Sequence, residues 1–156
     1  MPRALQHELR QTVPFTSIEE EVFLNVLRTA DALLQPEAAL LRTHDLSFAQ
    51  FNVLRILRGA GKGGASCGDI AERMVKRDPD ITRLLDRLEE RGLVRRFRDA
   101  DDRRVVMAAI TDAGRALIAP LDDAVPAVHR KQLRHLSRKQ LETLAELLAL
   151  ARTPPQ

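Results

Sequence analysis

The stretch from Asp78 to Thr111, DPDITRLLDRLEERGLVRRFRDADDRRVVMAAIT, constrains the fold more than any other part of this chain. Asp78 at an N-cap position with Pro79 at the first helical position predicts a helix start. Ile81, Leu84, Leu85 and Leu88 form one apolar stripe at helical spacing. Gly92 supplies the stop, because a residue just past a helix end commonly needs the left-handed conformation. Leu93 to Phe97 and Val105 to Ile110 favour strands. The polar run from Arg98 to Arg104 joins them as a hairpin.

A second helix precedes this one. Ser66 caps it, Asp69 lies in its first turn and it runs to Met74. Ile70, Ala71 and Met74 are expected to face inward. Two short helices followed by an Arg-tipped hairpin make a winged helix-turn-helix. In such a unit the N-terminal part of the second helix meets base edges in a major groove. Asp80, Thr82, Arg83, Asp86, Arg87 and Glu90 are left on its outward and flanking faces. Arg83 is suited to bidentate recognition of guanine, and Thr82 to a phosphate or a thymine methyl. Arg87, one turn on, is suited to a phosphate. Clustered arginines at a turn tip have little folding value, since exposed ion pairs contribute only about 0–1 kcal/mol. A narrow minor groove attracts an inserted arginine. Asp102 is expected to hold the Arg104 side chain extended for that insertion. The competing reading pairs Arg83 and Arg87 with Asp80, Asp86 and Glu90 on a solvated surface. With Asp78 and Glu89 also acidic, that reading gives a protein-interaction module that never meets DNA.

The flanks read as further helices. The first dozen residues, up to Pro14, look frayed or extended. Thr16 and Ser17 are followed three residues later by Glu19 and Glu20, so either pair can form a capping box. Phe23, Leu24, Val26, Leu27, Ala30, Leu33 and Leu34 continue at helical spacing. Pro36 is expected to kink or interrupt this helix, which resumes from Ala38 to Leu41. Ser47 with Gln50 forms a capping box, and Leu46 with Phe51 a hydrophobic staple. Val53, Leu54 and Leu57 follow, and the run from Gly59 to Gly64 predicts a mobile turn. Thr111 caps a helical region bent at Pro120 and Pro126, with Leu117, Leu121 and Val125 on its apolar face. Ser137 starts a last helix whose Leu141, Leu144, Leu147, Leu148 and Leu150 are too apolar to stand alone in water. The tail from Thr153 to Gln156 is expected to be loose.

Composition narrows the function classes. With 156 residues the chain is expected to form one domain, and 44% hydrophobic with 30% charged residues is ordinary for a soluble protein. Of its 25 basic residues four are Lys and 21 are Arg, a bias that suits phosphate and guanine recognition. Five Phe with no Trp or Tyr argue against base stacking on single strands. No apolar run reaches the roughly 18 residues that span a bilayer. The N-terminus MPRALQHELRQ lacks the apolar stretch of a secretory signal, so a cytoplasmic location without membrane association is expected. No glycine loop, catalytic dyad or HExxH motif is present, so no enzyme activity and no cofactor are expected.

The residues Thr82 to Glu89, then Arg91-Gly92-Leu93-Val94, Asp101-Asp102-Arg103-Arg104 and Ile110 to Gly114, resemble the recognition-helix, wing and post-wing signatures of the multiple-antibiotic-resistance-regulator (MarR) family. The resemblance covers nearly the whole chain in helix order and length. It implies a mainly α fold with a small β-hairpin wing. It implies a homodimer held by helices in 15–45 and 112–152, with a DNA-binding lobe over 46–111. It also implies a regulator, of repressor type, that binds double-stranded DNA at pseudo-palindromic half-sites and is relieved by a signal. By position Pro79, Asp80, Thr82, Arg83 and Arg87 match the groove-facing residues, and Arg104 the wing-tip arginine supported by Asp102, with Arg103 beside it. Asp80 departs from the family pattern, which often has a small polar residue there.

The resemblance further implies a small anionic or phenolic ligand, or an oxidant, as signal. His44, Phe51 and Arg55 lie where the dimer helices meet the reading lobe, and a cation beside an aromatic suits a carboxylate. Cys67, the one cysteine, cannot form an internal disulfide. Near a helix N-terminus it is a candidate thiol sensor, although the family's reactive cysteines usually lie near the N-terminal helix. His129 and His135 lack neighbouring carboxylates or thiols in sequence, so no metal site is expected.

Overall fold

The structure, a computed structural model, describes residues 4–153; the end of the tail expected to be loose lies outside the described residues. Helix α1 spans Ala4–Glu8 and buries Leu5, in a segment expected to be frayed or extended. Helix α2 spans Ile18–Arg42. Its N-terminus divides the expected capping box between two residues. Ser17 Oγ accepts from the Glu20 N–H, while Glu20 Oε2 accepts from the Thr16 N–H at 2.7 Å and from the Thr16 hydroxyl at 2.6 Å. The helix runs unbroken through Pro36, where a kink or an interruption was expected.

Helix α3 spans Phe48–Ala60 and starts with the reciprocal Ser47–Gln50 box. Leu46 and Phe51 are both buried, as a staple requires. Gly59 stays inside the helix, and a single 3-10 turn at Gly61–Gly63 leads to strand β1, Ala65–Ser66. Ser66 and Asp69 form a second capping box for α4, Cys67–Arg73. Ile70 and Met74 are buried, but Ala71 is exposed, against expectation. At seven residues α4 buries one narrow stripe, and Ala71 lies past its edge.

Helix α5, Ile81–Glu90, ends in a Schellman motif. The Gly92 N–H donates to Glu89 and the Leu93 N–H to Leu88, with Gly92 at φ +71°. Strands β2, Val94–Arg98, and β3, Val106–Ile110, pair antiparallel, with Arg96 opposite Ala108. Ala65 of β1 pairs with Ala108 from the other side, so the hairpin gains a third strand in the order β1-β3-β2. Thr111 caps helix α6, Asp112–Ile118, and its hydroxyl donates to the Gly92 carbonyl at 2.7 Å. The chain then turns at Pro120 into α7, Leu121–Leu133, and ends in α8, Arg138–Arg152, opened by a Ser137–Gln140 box. The fold is therefore mainly helical with a small antiparallel sheet.

One hydrophobic core unites α3, α4, α5 and the sheet. It also takes in Leu41 from the end of α2 and Ile118, Leu121 and Val125 from α6 and α7. Arg58 on α3 clamps Asp122 in the first turn of α7 with two bonds of 2.9 and 2.6 Å. That clamp holds the Asp122 carboxyl below the usual carboxylate range. Outside this core, Val22, Phe23, Val26 and Leu27 on α2 and Leu144, Leu147 and Leu148 on α8 are exposed, Phe23 by 61%. Among the described residues no helix is long and apolar enough to cross a membrane.

Candidate nucleic-acid interface

The start of α5 lies two residues later than the sequence suggests. Asp78 is not the N-cap. Its Oδ1 accepts from the Asp80 N–H at 2.9 Å, and Asp80 Oδ1 in turn accepts from the Arg83 N–H at 2.9 Å. Pro79 has no N–H to offer, so the first aspartate turns the chain and the second caps the helix. Asp80 is thereby an acid whose charge lies at the positive end of the helix, where it is favourable.

Two further acids of this helix, Asp86 and Glu89, are also engaged. Arg96 on β2 reaches back over the Gly92 turn. Its Nε and Nη2 donate to Glu89 Oε2 at 2.8 and 2.6 Å, and its backbone N–H donates to Glu89 Oε1 at 3.0 Å. Nη1 lies 2.7 Å from Asp86 Oδ1. These bonds from Arg96 hold the Glu89 carboxyl below its ordinary range, and the two acids push the Arg96 guanidinium up. Arg96 fixes the recognition helix to the wing strand. Sequence reasoning passed over it. The available signal was the spacing of Asp86 and Glu89 on one helix face, with an arginine just past a tight turn.

Arg83 and Arg87 are one turn apart, exposed, and line a shallow depression of about 200 Å³ with Asp78, Asp80 and Leu84. Thr82 and Pro79 are exposed beside them. In the wing, Asp99 Oδ1 accepts from the Asp101 and Asp102 N–H groups at 2.8 and 2.9 Å. These bonds, the one from Asp102 foremost, lower the Asp99 carboxyl's pKa. Asp102 Oδ1 accepts from the Arg104 backbone N–H at 3.0 Å. Asp102 therefore orders the backbone of the tip and not the Arg104 side chain, because the main-chain donor two residues on is the nearest one in such a turn. The Arg103 and Arg104 side chains are exposed, with no partner among the described residues. Arg95 lies 4.6 Å over the Phe97 ring.

The candidate sensor residues fall in three places. Arg55 is stacked 5.7 Å from the ring centre of Phe51, which is buried. His44 lies at the end of α2, its Nδ1 3.0 Å from the Thr43 hydroxyl. Cys67 is the first residue of α4, half-buried against the core. His129 is not without a carboxylate: its Nε2 lies 2.7 Å from Glu37 Oε2, a partner 92 positions away that local spacing could not show. Among the described residues no three His, Cys, Asp or Glu side chains are grouped to hold a metal ion.

Four similarities to known proteins bear on this arrangement. The sequence model of the MarR family matches residues 46–106, from the start of α3 to the wing. The solved MarR transcription factor from Planctomyces limnophilus is 41% identical, over 88% of this chain and 99% of that one, with a TM-score of 0.66. The transcriptional regulator TtmR of Methylorubrum extorquens is 35% identical over 106 residues, 68% of this chain but 53% of that regulator's own length. The homoprotocatechuate degradative operon repressor of Escherichia coli is 24% identical over 84% of this chain and 87% of its own. Helix order, wing and similarity along the whole length of a solved relative agree: this chain belongs to the MarR family of DNA-binding transcriptional regulators.

Proposed function

We propose that the chain is a homodimeric repressor that reads a pseudo-palindromic operator in double-stranded DNA and is released by a small anionic or phenolic ligand. The observation that carries the reading is an imbalance of partners. Three acids at α5 are bonded within the protein, Asp80 by the helix cap and Asp86 and Glu89 by Arg96, and Glu90 at its far end faces solvent. Arg83 and Arg87 on the helix, and Arg103 and Arg104 on the wing, have no acidic partner among the described residues. Such a surface is cationic where it meets solvent, as a groove reader needs. In this reading Arg83 contacts bases. Pro79, Thr82 and Arg87 lie along the backbone, and Arg103 and Arg104 enter the minor groove on a tip shaped by Asp102.

The dimer is supported by the exposed apolar faces of α2 and α8. They meet along a groove lined by Ile18, Val22, Phe23, Val26 and Leu148, whose occupant is a second copy of this chain. Residues 15–45 and 112–152 are then dimerisation helices around a reading lobe at 46–111. Repression follows the similarity to an operon repressor, and a dimer across a promoter excludes polymerase by volume alone. The ligand enters where these helices meet the lobe, near His44, Phe51 and Arg55. The protein acts in the cytoplasm as a binder, without cofactor or catalysis. A titration of the gene's own upstream region by fluorescence anisotropy at moderate salt tests the reading. Two protomers per site with competition only by the same sequence is expected; no binding by an intact dimer contradicts it.

A further inference from the structure

The reading lobe and the proposed dimer helices are joined through two helices, and each carries a proline at the junction. In α2 the exposed apolar residues Val22, Phe23, Val26 and Leu27 precede Pro36, and the fully buried Leu41 follows it. In α7 Leu121 and Val125 belong to the lobe core, and Pro126 comes next. A proline inside a helix removes the bond to the carbonyl four residues back. Pro36 thus leaves the Ala32 carbonyl without its helical donor, and Pro126 does the same to Asp122.

The gap in α2 is filled from α7. Gln132 Nε2 donates to the Ala32 carbonyl at 3.3 Å and to the Leu33 carbonyl at 3.1 Å. The amide cannot be reversed, because Oε1 would then face two carbonyl oxygens. Oε1 is left buried without a donor among the described residues, so the side chain forgoes one bond to make these two. One turn earlier on the same face of α7, His129 Nε2–H donates to Glu37 Oε2 at 2.7 Å. Glu37 directly follows Pro36 and is buried, its side chain 8% exposed. Two side chains of α7 therefore grip α2 on both sides of its missing bond. At the other end of α7, Arg58 and the core fix the helix to the lobe.

We propose that this proline-paired seam is the hinge between dimer and reading lobe, and that Gln132 and His129 are positioning residues that set the separation of the two lobes. The proposal rests on the dimeric DNA-reading function above. A softer seam lets the lobes adopt a wider range of separations, so the dimer loses preference for one half-site spacing while each lobe reads its half-site unchanged.

The test uses the full-length protein with Gln132→Ala, Pro36→Ala and the double variant, on operators whose half-site separation is lengthened or shortened by one base pair. The wild type is expected to lose about tenfold in affinity per base pair of wrong spacing, since register on the duplex is fixed by the dimer. Gln132→Ala reduces that discrimination to about threefold or less, at unchanged dimer mass and salt dependence. In the Pro36→Ala background the restored backbone N–H serves Ala32, so Gln132→Ala changes discrimination by less than about 1.5-fold. Gln132→Asn, which keeps the amide but is one methylene shorter, gives an intermediate loss should the alanine variant fold poorly. Wild-type discrimination in Gln132→Ala, or an equal loss with and without Pro36, overturns the hinge. Should the wild type bind no operator, the DNA-reading function fails. The hinge is then judged by the distance between spin labels at Asp101→Cys in a Cys67→Ser dimer without DNA. Gln132→Ala is expected to broaden that distance distribution, and an unchanged distribution overturns the proposal.

Discussion

Asp80 is the residue on which the interface turns. An acid beside phosphates is unfavourable on its own, but here the carboxylate caps α5 by accepting from the Arg83 N–H. The two roles separate on substitution. Asp80→Ala removes the cap and is expected to cost about 1 kcal/mol of stability, read as a Tm lower by about 2–5 °C in thermal unfolding. Asp80→Asn keeps the cap without the charge, so it costs less stability than Asp80→Ala while affinity for DNA rises; an unchanged affinity would place Asp80 away from the phosphates. Arg83→Ala is expected to cost roughly 1–3 kcal/mol on operator and to relax base preference. Equal losses on operator and random DNA would make it a phosphate contact. Arg104→Ala is expected to weaken binding to all sequences and to lower the salt slope by up to about one unit. An unchanged affinity and slope would remove the wing from the interface.

At the scale of elements, the recognition helix and wing act as one piece because Arg96 bonds Glu89 and Asp86 across the Gly92 turn. Glu89 has its pKa lowered mainly by its bonds from Arg96, which fixes the sign of its pH dependence. Its contribution is fully present above the ordinary glutamate value of about 4.3 and is lost as pH falls through the lowered folded value. In unfolding followed by circular dichroism, the stability deficit of Glu89→Gln relative to wild type is therefore expected to hold above about pH 4.3 and to shrink as pH falls below it. A deficit that stays constant across that range would deny the pair a role in stability. Gly114 packs closely on this joint: a Cβ there would lie 2.3 Å from the Leu93 carbonyl oxygen and 2.7 Å from Ile110 Cγ1. The elements best read from sequence are those whose signals are local. The Ser47, Ser66, Thr111 and Ser137 caps are each written within four residues. Strand β1 was not legible, since two residues carry no period and their pairing lies with Ala108 and Met107. Pro36 reads as a break because the side chain that fills its gap, Gln132, is a hundred positions away.

At the scale of the whole molecule, the apolar faces of α2 and α8 left to solvent support the proposed pairing with a second copy. Phe23→Glu is expected to halve the mass in light scattering and to abolish operator binding while the lobe keeps its fold; a variant that stays dimeric would move the interface elsewhere. The resemblance to the family was legible because the recognition helix, wing and post-wing residues are contiguous. The seam at Pro36 and Pro126 was not, because it joins positions far apart in the chain. The central claim, that two copies of this surface read one operator, is tested most directly by anisotropy titration of the chain's own upstream DNA, with stoichiometry and salt dependence measured together. Two protomers per site, affinity that falls linearly in log–log terms with salt, and loss of sequence preference in Arg83→Ala are expected. A stable dimer that binds that DNA no better than random duplex would contradict it.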